Sequence, residues 1–397
     1  MNSAIKLNSH HLIFLLLWGW MANIWSFINI GEHSLTLWLL LSFLMAIYVA
    51  NNLRNISNHL IVVIYFFLLS FLCGIVADMG IHTLSSIVQQ TMALIFLLAA
   101  YCINWKVHFK YFCNVYKVVF FVAFIYAVYQ FIARVFALPL AYLPVTNLQI
   151  GADEGFQRGY SFAHVGFDRV SSFFIEPSVY ARFNTGFFSL VLAGAFPKQQ
   201  MLYIITVFIS IFISASGTAV VVILSLLMLF LIMNGSVSNY IKYIALTVVV
   251  LTGVFLVAPE RMLGLISHAF SSDYETQRRF ASLSNNINTI MEQPYFGYGI
   301  GNALKFAPDG IYNSFVFLSM ERGLVGLLFF LSTFLYVVLN LIPVCRTNVI
   351  FRFLLFMLFA EFLFLGSEAA VYFPYTYFIV GVALQALIKD KYYSYYS

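Results

Sequence analysis

Met201-LYIITVFISIFISASGTAVVVILSLLMLFLI-Met233 is an apolar run without a charged residue, and its middle carries the polar string Ser214-Ala215-Ser216-Gly217-Thr218. As a single helix it would be about 50 Å long, well beyond the roughly 30 Å hydrocarbon core of a bilayer. Two short spans meeting at the polar string are therefore expected. The flanking charges agree. Lys198 and Lys242 bracket the run, and the preference for lysine and arginine on the cytoplasmic side asks for an even number of crossings between them.

The same reasoning extends outward. Further candidate spans lie near His11–Ile30, Ser34–Ala50, Leu60–Asp78, Ser85–Trp105, Phe112–Leu138, Phe173–Phe196, Tyr240–Val257, Leu324–Pro343, Ile350–Glu368 and Val371–Ile388. Lys6, Arg54, Lys106, Lys110, Lys198, Lys242, Arg346, Lys389 and Lys391 are expected in short loops or tails on one side. Dividing the central run then gives about twelve spans with both termini cytoplasmic. Nearly all acidic residues, from Glu32 and Asp78 to Glu260 and Asp309, fall on the other face. The fold class expected is an all-α polytopic integral membrane protein, residues 1–397 forming one transmembrane domain. Two long loops, Pro139–Ser172 and Ala258–Gly310, face outward. Their mixture of Gly, Pro, Arg and aromatic residues is unlike a disordered linker, so they are expected to fold over the outer mouth of the bundle.

Composition supports the same class. Hydrophobic residues make up 62% of the chain and charged residues 9%, where soluble domains carry roughly 25% charge. A net charge of +5 with no basic run excludes a nucleic-acid partner. Cys73, Cys102, Cys113 and Cys345 have no paired spacing, so neither a disulfide framework nor a metal site is indicated. The N-terminal apolar run continues from Trp18 to Ile30 without a small-residue cleavage site and reads as a first span.

Chemistry concentrates where the chain is least greasy. Asp168-Arg169, Glu176-Pro177-Ser178 and Arg182 stand at the entry to a span, and ionisable groups at membrane depth mark substrate paths. Pro177 suits a first helical position, which would turn the positive end of that helix to the outer face. Ser216-Gly217-Thr218 starts a second helix in the same sense, and Asp309-Gly310 with Asn313 a third. Helix N-termini bind phosphate through unpaired N–H groups, and Arg169, Arg182, Arg278 and Arg279 would add forked donors. The alternative is structural. Arg169, Glu176 and Arg182 would then be a buried ion pair tethering loop to helix, and Arg278-Arg279 would form solvated pairs with Asp273 and Glu275. Gly297-Tyr298-Gly299-Ile300-Gly301-Asn302 matches no nucleotide fingerprint and reads as a tight turn bringing backbone close to the membrane surface or a substrate. Tyr312 reads equally as an interfacial aromatic or a site residue. His164 and His268 lack partners at metal-ligand spacing.

In this order and sidedness, four stretches resemble the bacterial O-antigen polymerase family: Arg169-Val-Ser-Ser-Phe-Phe-Ile-Glu176-Pro-Ser178, Ser214-Ala-Ser-Gly-Thr218, Gln293-Pro-Tyr-Phe-Gly-Tyr-Gly-Ile-Gly301-Asn302, and Tyr312-Asn-Ser with Glu321-Arg-Gly-Leu-Val-Gly326. They span roughly the second half of the chain. The related O-antigen ligases are similar, and both groups often place a His where this chain has Tyr312. That departure leaves the general base open and favours polymerase over ligase. The resemblance implies a glycosyltransferase bundle in the bacterial inner membrane, with its active site facing the periplasm. Its substrates would be undecaprenyl-pyrophosphate-linked oligosaccharides, polymerised en bloc into O-antigen or a related surface polysaccharide. No nucleotide sugar, metal or other cofactor is implied; a chain-length regulator is a possible partner. Arg169, Glu176 and Arg279 are the expected catalytic residues. Arg182, Arg278, Ser178, Ser216, Thr218, Tyr312 and Asn313 are expected to bind pyrophosphate or glycan. A ligase acting on lipid A core differs only in acceptor. A transporter of lipid-linked glycan would line its spans with charge at mid-membrane, whereas here the charges gather at the outer rim and the spans, apart from Glu361, Lys117 and Arg134, are almost free of ionisable residues.

Overall fold

The computed structural model describes residues 8–21, 26–30, 33–54, 56–77, 83–136, 138–139, 161–162, 167–168, 170–174, 177–214, 216–234, 274–307, 310–346, 348–367 and 374–393. The chain is a helical membrane protein. Among the described residues, Asn58–Ala77, Trp105–Ala133, Pro197–Ser214 and Ser314–Cys345 are long and apolar enough to cross a bilayer, and shorter apolar helices accompany them. It divides into two compact units, residues Met1–Leu44 with Val107–Phe270, and Met45–Lys106 with Ser271–Ser397.

The first unit contains α1 (Ser9–Met21), β1 (Ser26–Ile30), β2 (His33–Thr36) and the start of α2 (Leu37–Asn52). Most of α5 (Trp105–Val135) follows, then β3 (Ser161–Phe162), β4 (Phe167–Asp168), α6 (Pro177–Ala193), α7 (Gln200–Ser214) and α8 (Gly217–Asn234). The central apolar run thus divides at the predicted string, with α7 ending at Ser214 and α8 starting at Gly217. Pro177 opens α6 as expected, because at N1 its missing N–H is no loss. Nearly the whole of α6 is buried, the signature of a helix enclosed by its neighbours. Aromatic rings join it to α5: Phe120 stacks on Phe187 at 4.1 Å between centroids, and the Tyr116 hydroxyl donates to the Phe183 carbonyl at 2.8 Å.

The second unit holds α3 (Asn58–Ala77), α4 (Thr83–Cys102), α9 (Tyr274–Glu292), α10 (Ala303–Phe306), α11 (Ser314–Cys345), α12 (Val349–Leu365) and α13 (Pro374–Tyr393). Small residues let its helices approach. A Cβ on Gly381 of α13 would lie 2.2 Å from the Leu97 carbonyl oxygen of α4, and one on Gly326 of α11 would lie 3.2 Å from the Ser70 carbonyl oxygen of α3. Packing through small residues is how helices associate where lipid removes the hydrophobic drive. Ile61, Tyr65, Leu68, Leu72 and Val76 leave α3 with an exposed apolar stripe, while Leu60, Val63 and Phe67 face inward. Such a stripe suits lipid.

Several sequence expectations need correction. The first candidate span stops at Met21, because the alternating Ser26-Phe-Ile-Asn-Ile30 pairs antiparallel with His33–Thr36 instead of extending the helix. Lys106 and Lys110 sit in the first turns of α5, and Lys389 and Lys391 in the last turns of α13, rather than in loops or tails. The second long loop contains a helix of its own, α9, so Arg278 and Arg279 are helical residues. The span at Tyr240–Val257, most of the first loop, and Lys6, Lys242, His164, His268 and Asp309 lie outside the described residues.

Candidate functional site

In the first unit, the approach to α6 is tightly held. The Val170 N–H donates to the Ile213 carbonyl at the end of α7 (3.4 Å), and the Phe174 N–H donates to Ser171 (3.0 Å). Phe173 stacks on Tyr126 at 4.3 Å. Between them Ser172 takes a left-handed backbone, φ 54°. That conformation costs a non-glycine residue on the order of 1 kcal/mol or more. It is retained because Ser172 is fully buried and its Oγ donates to the Ala123 carbonyl at 2.7 Å. A strained residue inside the 169–178 motif fixes the direction in which the chain enters the helix. Strain of this kind clusters at ligand sites. Arg169 and Glu176, which flank the turn, lie outside the described residues.

Beyond the turn, α6 carries polar side chains on two faces. Ser178, Arg182, Thr185 and Ser189 recur at helical spacing. Arg182 is only 2% exposed. Thr185 Oγ1 donates to the Arg182 carbonyl (2.7 Å) and Ser189 Oγ to that of Thr185 (2.9 Å), so both hydroxyls are satisfied within the helix. On the second face, the Ser210 hydroxyl of α7 meets the Tyr180 hydroxyl at 2.5 Å and accepts from Asn184 Nδ2 at 2.7 Å. Asn184 Oδ1 is buried with no hydrogen-bond partner among the described residues. Ser216 is buried and caps α8, its Oγ accepting from the Ala219 N–H at 3.4 Å, with half-exposed Thr218 on the first turn. The first unit thus joins Ser178 and Arg182 on one helix face and places Ser216 and Thr218 together on another helix. Sequence reading missed Ser172, Tyr180, Asn184 and Ser210; for the three in helices the available signal was polar residues recurring every three or four positions in a greasy helix, while Ser172, in the turn before α6, carried none.

In the second unit the glycine-rich stretch has a structural destination. Helix α11 is broken at Gly323, whose φ of 67° and ψ of 180° interrupt the helical ladder. The 293–302 turn packs into the break. The N–H groups of Tyr298 and Gly299 donate to the Met320 and Glu321 carbonyls at 2.7 and 3.0 Å, while those of Leu324 and Val325 donate to Pro294 and Tyr295 at 2.7 and 3.3 Å. Glu321, itself buried, accepts from the Gly301 N–H at 2.8 Å. Buried backbone that leaves the helical ladder must find partners elsewhere in the protein, and the turn supplies them on both sides of the break. Tyr298 is fixed by donating to the Thr289 carbonyl, 2.9 Å away, and Glu292 Oε2 also lies 2.9 Å from its hydroxyl. Burial, then the neighbouring Glu292, push that hydroxyl up to about 12, so Tyr298 remains a neutral donor at physiological pH.

Behind the break, the fully buried Arg322 donates through Nη1 to Ser70 Oγ at 3.1 Å and through Nη2 to Gln90 Oε1 at 3.3 Å. The Tyr377 hydroxyl reaches the same Gln90 oxygen at 3.4 Å. Four helices, α3, α4, α11 and α13, are clamped at this point. Asn313 caps α11, its Oδ1 accepting from the N–H groups of Phe315 and Val316 at 2.8 and 3.2 Å, while Nδ2 donates to the Gly366 carbonyl at 2.5 Å. Its amide is thus committed at both ends to the fold. Half-buried Tyr312 stands beside it, its ring 3.7 Å from where a Cβ on Gly310 would lie.

Neither a scan of protein-family models nor a search of curated protein sequences returns a match to this chain.

Proposed function

We propose that the chain polymerises undecaprenyl-pyrophosphate-linked oligosaccharide repeat units at the periplasmic face of the bacterial inner membrane, within a bundle of about twelve spans whose termini are cytoplasmic. Arg182 carries this reading: a guanidinium withdrawn from water on a helix enclosed along nearly its whole length. Buried charge in a membrane bundle is expensive and, by default, functional. The strained Ser172 turn upstream adds support, since it orients the motif that the resemblance assigns to catalysis.

In the proposed reaction, a sugar hydroxyl of the incoming lipid-linked unit attacks the anomeric carbon of the growing glycan. The new glycosidic C–O bond forms as the anomeric C–O bond to pyrophosphate breaks. Undecaprenyl pyrophosphate leaves with the electron pair, and the hydroxyl proton passes to a base. Arg169 and Arg182 stabilise the departing charge, and Glu176 serves either as that base or as the orienter of the arginines. Ser178, one turn before Arg182, and the first turn of α8 at Ser216–Thr218 supply hydrogen-bonding groups to the substrate.

Deletion of the gene in its source strain tests this reading on a gel of surface lipopolysaccharide. The expected result is core bearing one repeat unit, with the ladder restored by the intact gene. Bare core with full-length glycan retained on the carrier lipid would indicate a ligase instead, and an unchanged ladder would remove O-antigen as the product.

A further inference from the structure

The C-terminal half of α9 presents three distinct faces. Ser282, Asn286 and Ile290 form a buried stripe toward the protein. The Ser282 hydroxyl and Asn286 Nδ2 donate to the Gly310 carbonyl at 2.7 and 3.2 Å, and Ile290 packs with Ala303, Ala307, Ile311 and Met320. Ile287 and Met291 point roughly 100 to 140° away from that stripe at 3.6 residues per turn, yet both are apolar and exposed, Met291 by 64%. Ser284, Asn288 and Glu292 occupy the remaining side and are also exposed. One turn beyond Met291, the chain continues this apolar edge with Tyr295 and Phe296, exposed by 71% and 47%.

The height of this edge follows from α3 and α11. Arg54 precedes α3 and Arg346 follows α11, so the basic ends of both helices are cytoplasmic. From Leu324 to Cys345, α11 is about 33 Å long at 1.5 Å per residue, which matches the roughly 30 Å hydrocarbon core. The break at Gly323 therefore lies at the outer hydrocarbon boundary. Leu324 and Val325 bond directly to the carbonyls of Pro294 and Tyr295, which holds the 293–296 turn at that boundary. Below it the exposed side chains of α11, Leu324, Leu328, Leu335 and Leu339, are apolar.

We infer that the C-terminal half of α9 and the 293–296 turn form an interfacial anchor, with Ile287, Met291, Tyr295 and Phe296 seated in the headgroup–acyl boundary of the outer leaflet. Its partner is the phospholipid surface. A buried stripe, an apolar edge and a polar edge on one helix are what an element shared between protein, lipid and water requires, and aromatic side chains favour this depth. The exposed apolar edge adjoins the apolar stripe of α11 where the N–H groups of Leu324 and Val325 bond the carbonyls of Pro294 and Tyr295, so bilayer continuity identifies the occupant.

The anchor is tested by spin labelling of the full-length protein in phosphatidylethanolamine–phosphatidylglycerol vesicles. Labels are placed through Ile287→Cys, Met291→Cys, Tyr295→Cys and Asn288→Cys, and the unlabelled-site parent with Cys102→Ala serves as background. Collision with oxygen and with a water-soluble nickel chelate is measured at each site. At 287, 291 and 295 the oxygen collision rate should exceed the chelate rate severalfold, and at 288 the order should reverse. Chelate access at 287, 291 and 295 equal to that at 288 would overturn the inference, because the edge would then face water. An immobile label shielded from both reagents would also overturn it, since protein would then cover the edge.

Discussion

Arg182→Ala is expected to reduce the surface glycan to core with a single repeat unit. This outcome is expected because Arg182 is the one proposed pyrophosphate ligand whose side chain is seen withdrawn from water on α6. In a site closed to water, a donor aimed at developing charge is worth about 3 kcal/mol in the transition state, or roughly a hundredfold in rate. Removing a buried charge also endangers the fold when its partner is stranded, typically by 3–5 kcal/mol. Arg182→Lys separates the two effects. Lysine keeps the positive charge and most of the volume but loses the planar fork that grips two phosphate oxygens. Shortened chains are therefore expected at wild-type protein level, with a phenotype between wild type and alanine. Wild-type chain length with Arg182→Ala, at normal protein level, would assign the guanidinium to scaffold alone.

The second large effect is on folding. Gly323→Ala would place a Cβ 2.1 Å from the Tyr295 carbonyl oxygen at a position whose φ is 67°, and Gly297→Ala would place one 2.5 Å from the Met320 carbonyl oxygen. Both contacts are with backbone, so no rotamer change relieves them. The turn must withdraw from the break, exposing the carbonyls of Met320 and Glu321 and the N–H groups of Leu324 and Val325 without partners. Each orphaned buried group costs about 1–3 kcal/mol, so the total exceeds the roughly 4 kcal/mol that marks an exceptional single substitution. Detergent-extracted protein should be largely aggregated on size exclusion, with a sharply lowered melting temperature for any folded remainder. Gly217→Ala is the matched control. Nothing lies within 4 Å of its Cβ and its φ is not left-handed, so it should be neutral or slightly stabilising. A Gly323→Ala protein as monodisperse and heat-resistant as this control would show that the turn does not need to enter the break.

The parts of the fold that were legible in the sequence are those set by local chemistry. The break after Ser214 follows from bilayer thickness and a polar string, and Pro177 could stand in a helix only near its start. Lys106 and Lys110 were misplaced because positive-inside reasoning locates charges by side, while a helix longer than a span can carry lysines in its own first turns, as the 31-residue α5 does. The Ser26–Ile30 hairpin was hidden because an apolar run following a helix reads as more helix unless the alternation of side chains is weighed. At the site, Arg182 was visible through its charge and Ser178 through its place after Glu176-Pro177 at the entry to the span. Ser70, Gln90 and Tyr377 carried no such signal, for they become a cluster only when α3, α4 and α13 converge on Arg322. The glycines of 297–301 were recognised as a turn, but that they fill a break in α11 depends on a residue more than twenty positions away, Gly323.

The most direct test of repeat-unit polymerisation uses purified full-length protein in proteoliposomes with a synthetic undecaprenyl-pyrophosphate-linked repeat unit as the sole substrate, without nucleotide sugar. The predicted result is a ladder of lipid-linked oligomers accompanied by free undecaprenyl pyrophosphate, one for each bond formed, with Arg182→Ala forming neither at a comparable rate. Wild-type protein that binds the substrate yet forms no oligomer, and transfers glycan only when lipid A core is added as acceptor or not at all, would contradict the polymerase reading.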